Sequence, residues 1–170
     1  PQYPPGDKDI SELGTQQAQW LAERLVELGF EGTIHSSPYH RTMQTAQTAA
    51  KILDVPILPE PAIQEYVPNP GLPGGRGQTI EQIRGRYSRV MASAAMRHPW
   101  FFTGPEGQPQ VQARVKPFID QLAREQKEDV LLVGHGATIW ACKEVIMGLG
   151  EIVGELPEQG SGWNCSLCSY

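Results

Sequence analysis

Cysteine is scarce in this sequence: Cys142, Cys165 and Cys168 are the whole complement. Three is too few, and odd, for a disulfide framework, so a reducing compartment is the simpler expectation. No apolar run approaches the roughly 20 residues that span a bilayer, and no long basic run accompanies the formal net charge of -5. That balance argues against nucleic acid or an anionic membrane as the main partner and confines any cationic site to a pocket. The first residues, PQYPPGDKD, are polar and proline-rich, with neither a signal-peptide pattern nor a starting methionine. A cytoplasmic location is therefore the default expectation. Cys165 and Cys168 form a lone C-x-x-C in a strand-like segment. Residues three apart in a strand point to opposite faces, which suits neither one metal nor one disulfide, and no metal site is expected.

What is present is ordinary globular composition, 39% hydrophobic and 19% charged over 170 residues, enough for one domain covering 1–170 with a sizeable core. Helical and strand-like patterns alternate. Ser11 is a good N-cap for an amphipathic helix carrying Leu21, Leu25 and Leu28 and closed by Gly29. Gly32 to Ser36 reads as a short strand, Ser37 and Pro38 as an N-cap and first-turn proline, and Tyr39 to Leu53 as an alanine-rich helix. Val55 to Leu58 is a second strand, followed by a loop from Pro59 to Gly77 rich in proline and glycine. Thr79 to Met96 and Val111 to Arg124 read as helices around the aromatic patch Trp100, Phe101, Phe102. DVLLVGHG, Asp129 to Gly136, contains an apolar run of the kind buried on both faces of a parallel sheet. Ala137 to Leu149 returns as a helix, and Asn164 to Tyr170 reads as a last strand. Such alternation specifies a layered α/β/α fold with a largely parallel sheet.

In that class of fold, ligands bind beyond the carboxyl ends of the strands. Two such ends carry unusual chemistry. The first is Ile34-His35-Ser36-Ser37-Pro38-Tyr39-His40-Arg41, where a cationic side chain meets the unpaired N–H groups of a helix start, a setting that suits an anion such as phosphate. The second is Val133-Gly134-His135-Gly136-Ala137, where glycines on both sides of His135 let the imidazole approach a ligand. His35 is expected to be packed within its strand, and His40 and His98 to be exposed. A dinucleotide fingerprint is excluded at the second end, since Gly134-x-Gly136 continues as Ala-Thr-Ile with no third glycine.

SSPYHRTMQTA, followed far downstream by LLVGHGA, resembles the histidine phosphatase superfamily, whose fold is phosphoglycerate-mutase-like. DISELGTQQAQWLAERL, GQPQVQARVKPFIDQL and NCSLCSY resemble further segments of the same family, in the same order. The resemblance implies phosphoryl transfer through a histidine nucleophile and a phosphohistidine, without metal or organic cofactor. It implies that Arg41 binds the phosphoryl oxygens with its planar donor fork and that His135 is a further donor to them. Glu65, in IQEYVP, matches the family's acid, which protonates the leaving oxygen and later takes a proton from water. Its surroundings depart from the commoner E-x-x-x-G-x-x-E-G pattern. Ser37 is expected to order the junction.

The family's Arg-His-Gly motif, which carries the nucleophile at the end of a strand, is absent between Pro1 and Tyr170. Incompleteness at the N-terminus is the favoured explanation, since losing a central strand would expose apolar faces and unpaired backbone groups. Phosphomonoester hydrolysis in the intact protein is the leading expectation, on a phosphorylated small molecule or phosphoprotein. A mutase-type phosphotransferase ranks lower, because the resemblance implies an arginine-rich, tyrosine-containing insertion in the mutases, and Arg76 is the sole basic residue between Pro59 and Gly77. The remaining alternative is a non-catalytic phosphate-binding or interaction module.

Overall fold

The computed structural model describes residues 7–66, 78–91, 105–125 and 127–148. Three parallel strands, β1 (Thr33–Ser36), β2 (Ile57–Pro59) and β3 (Val130–Val133), lie in the order β2-β1-β3. The helices are α1 (Glu12–Glu27), α2 (His40–Leu53), α3 (Ile80–Arg84), α4 (Gln108–Glu125) and α5 (Gly136–Gly148). A 3₁₀ turn over Pro61–Ile63 follows β2. None of the helices among the described residues is long and apolar enough to cross a membrane.

The period of two along the strands divides the core. Ile34 pairs with Ile57 on one side and Leu131 on the other, and all three are buried with Leu21, Leu25, Met43 and Ala46 on the α1–α2 face. One residue later His35, in register with Leu58 and Leu132, faces the opposite layer, where its ring meets Phe118 of α4 at 5.4 Å. Val111, Val115, Phe118 and Ile119 of α4 are buried there with Ala141 and Cys142 of α5. Helices thus cover both faces of a parallel sheet, the layered arrangement expected.

Several boundaries differ from the sequence expectation. Helix α2 starts at His40, and its N-cap Tyr39 makes no side-chain capping bond, so Ser37 and Pro38 precede the helix. Asp7 does the capping from a distance: its carboxylate accepts from the His40 N–H at 2.7 Å and the Arg41 N–H at 3.4 Å. The expected helix from Thr79 is one short turn, closed by a Thr79–Gln82 capping box at one end and Gly85 at the other. Val90 then forms an isolated bridge with Ile57. The loop after Pro59 begins as buried structure, with Ile63 and Gln64 fully enclosed. Residues 67–77 of that loop, the aromatic patch and the expected strand Asn164 to Tyr170 lie outside the described residues.

Candidate functional site

Ser36 and Val133 pair in register, so β1 and β3 end side by side and the two chemically unusual junctions become neighbours. Arg41 is the second residue of α2, His135 lies two residues beyond β3, and Glu65 follows the 3₁₀ turn after β2. The three side chains meet. Arg41 Nη2 donates to Glu65 Oε2 at 2.9 Å and to His135 Nδ1 at 3.0 Å, while Glu65 Oε2 lies 3.3 Å from the same imidazole nitrogen.

Protonation follows from the donors. A guanidinium only donates, so Nδ1 of His135 presents its lone pair to Arg41 and the ring proton sits on Nε2. From there it reaches Ser37 Oγ at 2.8 Å. Burial, reinforced by the charges of Arg41 and Arg114, pushes the His135 pKa down to about 3, in keeping with a neutral ring. Both imidazole nitrogens are thereby engaged inside the protein. For His135 to donate to a ligand from Nδ1, Arg41 must release that nitrogen and the ring must gain a proton there.

Tyr39 lies beside both His135 and Arg41: its ring stands edge-on to His135 at 5.0 Å, and the Arg41 guanidinium carbon lies 4.8 Å from its centroid. Burial raises the phenol to about 12, so it stays neutral. Arg41 is also 3.5 Å from Asp7, whose carboxyl is 2 % exposed and is raised from the usual range by burial. Two acids thus share one arginine, and Glu65, at 34 % side-chain exposure, is the more accessible. Its carboxylate occupies the Arg41 donor that an incoming phosphate would need.

Asp7, Ser37 and Tyr39 complete the site, and sequence patterns do not single them out as site residues, because each acts through a long-range contact. Ser37 is legible there only as a residue ordering the junction, and Asp7 only as an acid opening the segment before a long helix. His40, expected to be exposed, is buried: Nε2 contacts Asp9 Oδ1 at 2.6 Å and Nδ1 bonds the Tyr87 hydroxyl. The first turn of α2 turns inward under Tyr87, which the sequence does not disclose. His35 is packed, as expected, with its Nε2 lacking a hydrogen-bond partner. His98, Cys165 and Cys168 lie outside the described residues.

Comparison with known proteins identifies the family and the fold. A family model for the histidine phosphatase superfamily (branch 1) matches residues 2–168. Phosphoserine phosphatase 1 of Hydrogenobacter thermophilus is 28% identical over 145 residues, covering 84% of this chain and 66% of that protein. The chain therefore spans about two thirds of that relative's length. The transcription factor tau 55 kDa subunit of Saccharomyces cerevisiae is 29% identical over 96% of this chain and 40% of its own. Among solved structures, the ecdysone phosphate phosphatase of Bombix mori, in complex with tungstate, superposes with a TM-score of 0.66 at 18% identity, covering 89% of this chain and 61% of that one. Mycobacterial glucosyl-3-phosphoglycerate phosphatase with inorganic phosphate gives 0.60 at 23%, covering 88% and 74%.

Proposed function

Because the chain belongs to the histidine phosphatase superfamily, branch 1, we propose that the whole protein is a phosphomonoesterase acting on a small phosphorylated metabolite through a phosphohistidine. The convergence of Arg41, Glu65 and His135 within 3.3 Å of one another carries this reading. Likeness to a relative named phosphoserine phosphatase supports a small substrate.

In the first step a histidine nitrogen attacks phosphorus in line and the ester oxygen leaves with the bonding pair. Pro1 to Tyr170 contain no Arg-His-Gly, so that histidine is not assigned to this segment. Arg41 turns its fork from Glu65 to the phosphoryl oxygens and stabilises their redistributed charge. His135, freed at Nδ1, becomes a second contact once protonated. Glu65, displaced from Arg41, takes up a proton from solvent or from the substrate monoanion and delivers it to the leaving oxygen. It then takes one from the water that attacks the phosphohistidine, regenerating imidazole and releasing phosphate.

Variants of the natural full-length protein test the roles. Arg41→Ala removes charge-assisted bonds of about 1.5–3 kcal/mol each and should lower kcat/KM by at least about tenfold on alkyl and nitrophenyl phosphates alike. Glu65→Gln should cost heavily on the alkyl ester, whose alkoxide needs a proton, and little on the nitrophenyl ester. Equal losses on both would remove Glu65 from proton transfer.

A second reading, a non-catalytic phosphate-binding or interaction module, is favoured by the likeness to a protein named as a transcription factor subunit. Wild-type protein that binds phosphate yet hydrolyses neither ester would establish it.

A further inference from the structure

The last three carbonyls before Glu65 are each gripped by a side chain from another layer of the fold. Arg114 Nη1 of α4 donates to Ala62 O at 2.6 Å and lies 3.4 Å from Gln64 O. Thr138 Oγ1 of α5 reaches Ile63 O at 3.2 Å and accepts from the His135 N–H at 3.1 Å. Arg114 is itself fixed by a two-pronged pair with Glu106, Nε to Oε1 at 2.8 Å and Nη2 to Oε2 at 2.9 Å, the side chains being 4 % and 8 % exposed. An ion pair so enclosed is costly to desolvate and is a weak stabiliser by itself, so a role beyond stability is worth seeking. The guanidinium plane holds carboxylate on one edge and backbone on another, a division that lysine, a point donor, cannot reproduce.

We propose that Arg114 is a positioning residue for the acid: the Glu106–Arg114 pair, with Thr138, clamps Ala62 to Gln64 so that the Glu65 carboxylate returns to one place beside Arg41 and His135. This rests on the assignment of proton transfer to Glu65. Proton delivery to a leaving oxygen needs the carboxyl held within hydrogen-bond reach of it, whereas phosphoryl binding by Arg41 needs only that the carboxylate vacate the donor it occupies at rest. Loss of the clamp therefore affects proton transfer selectively. Tyr66 supplies a reporter independent of turnover, because its N–H donates to Glu65 Oε1 at 2.9 Å only while the carboxylate is folded back.

The test uses Arg114→Lys in the natural full-length protein. Alkyl phosphate kcat/KM should fall at least about tenfold while the nitrophenyl rate stays within about threefold. Exchange of the Tyr66 amide should quicken at least about tenfold, with the β1 amides unchanged. Glu106→Gln, which keeps the shape of the pair, should give the same selective pattern at smaller size. Parallel loss on both esters, an unchanged Tyr66 amide, or faster exchange in β1 as well would overturn the proposal. Were wild-type protein to hydrolyse neither ester, the phosphatase reading would fail by itself, and Tyr66 exchange would still decide whether Arg114 holds Glu65.

Discussion

Glu65 shows how one carboxylate holds two incompatible tasks. Resting, it takes the Arg41 donor at 2.9 Å and keeps the arginine paired; working, it must yield that donor to phosphate. A carboxylate and a phosphate dianion about 4 Å apart repel by roughly 2 kcal/mol in water and up to about 8 kcal/mol near a protein surface. Removing the charge should therefore help binding while harming proton transfer. For Glu65→Gln we expect inorganic phosphate to bind at least about fivefold more tightly by calorimetry, the variant's loss in alkyl ester turnover notwithstanding. Weaker binding would show that Glu65 does not compete for Arg41. At this scale Arg41 and His135 are legible in the sequence because a strand end, a helix start and flanking glycines are local signals. Ser37, Asp7 and Arg114 are not, because their partners lie 98, 33 and 52 residues away.

The elements hold these residues through a few close approaches that sequence patterns only partly disclose. Gly32 is the sharpest: a Cβ there would lie 1.6 Å from the carbonyl oxygen of Asp129, where β1 and β3 begin to pair. Strand β1 cannot yield, since the Thr33 N–H donates to that same oxygen at 3.1 Å. Gly32→Ala should therefore part β1 from β3 and cost at least about 2 kcal/mol by urea unfolding. Because β1 leads to Arg41 and β3 to His135, phosphate binding should weaken with it; unchanged stability would refute the close approach. The α1 cap at Ser11, whose Oγ accepts from the Gly14 N–H at 3.0 Å, is readable from the sequence. The α2 cap is not, because Ser37 beside Pro38 makes a good local cap and yet spends its hydroxyl on His135. The helix after Thr79 is shorter than its pattern for a similar reason: Ile83, Tyr87 and Val90 look helical in spacing, but they reach one core from a turn and a bridge.

At the scale of the whole chain, an acidic total of -5 conceals a cationic centre that is largely neutralised by its own acids, as a charge count alone could only allow. The sheet likewise carries two buried histidines on or beyond its strands, and together they tie stability to pH. Burial pushes His35 down to about 4, and burial with Arg41 and Arg114 pushes His135 down to about 3. In the unfolded chain both titrate near 6.5. Between pH 6.5 and those depressed values the unfolded state binds more protons than the folded one, so stability falls as pH falls through that window and is fully present above it. The loss is on the order of a few kcal/mol, since each tenfold weakening of proton binding is worth about 1.4 kcal/mol. Asp7 and Glu60, raised by burial, act in the opposite sense and offset part of it. His35 is the cleaner probe, because it packs on Phe118 away from the Arg41 cluster and its buried Nε2 has no partner. His35→Leu keeps similar volume and removes an unsatisfied polar atom, so stability at pH 7 should be equal or higher. Between pH 6.5 and 4 the variant should lose stability less steeply than wild type by up to one proton's slope, about 1.4 kcal/mol per pH unit, read from urea midpoints across that range. An identical slope in both proteins would mean that His35 accepts its proton without unfolding, and that the acid sensitivity of the fold in this range lies with other groups, His135 first among them.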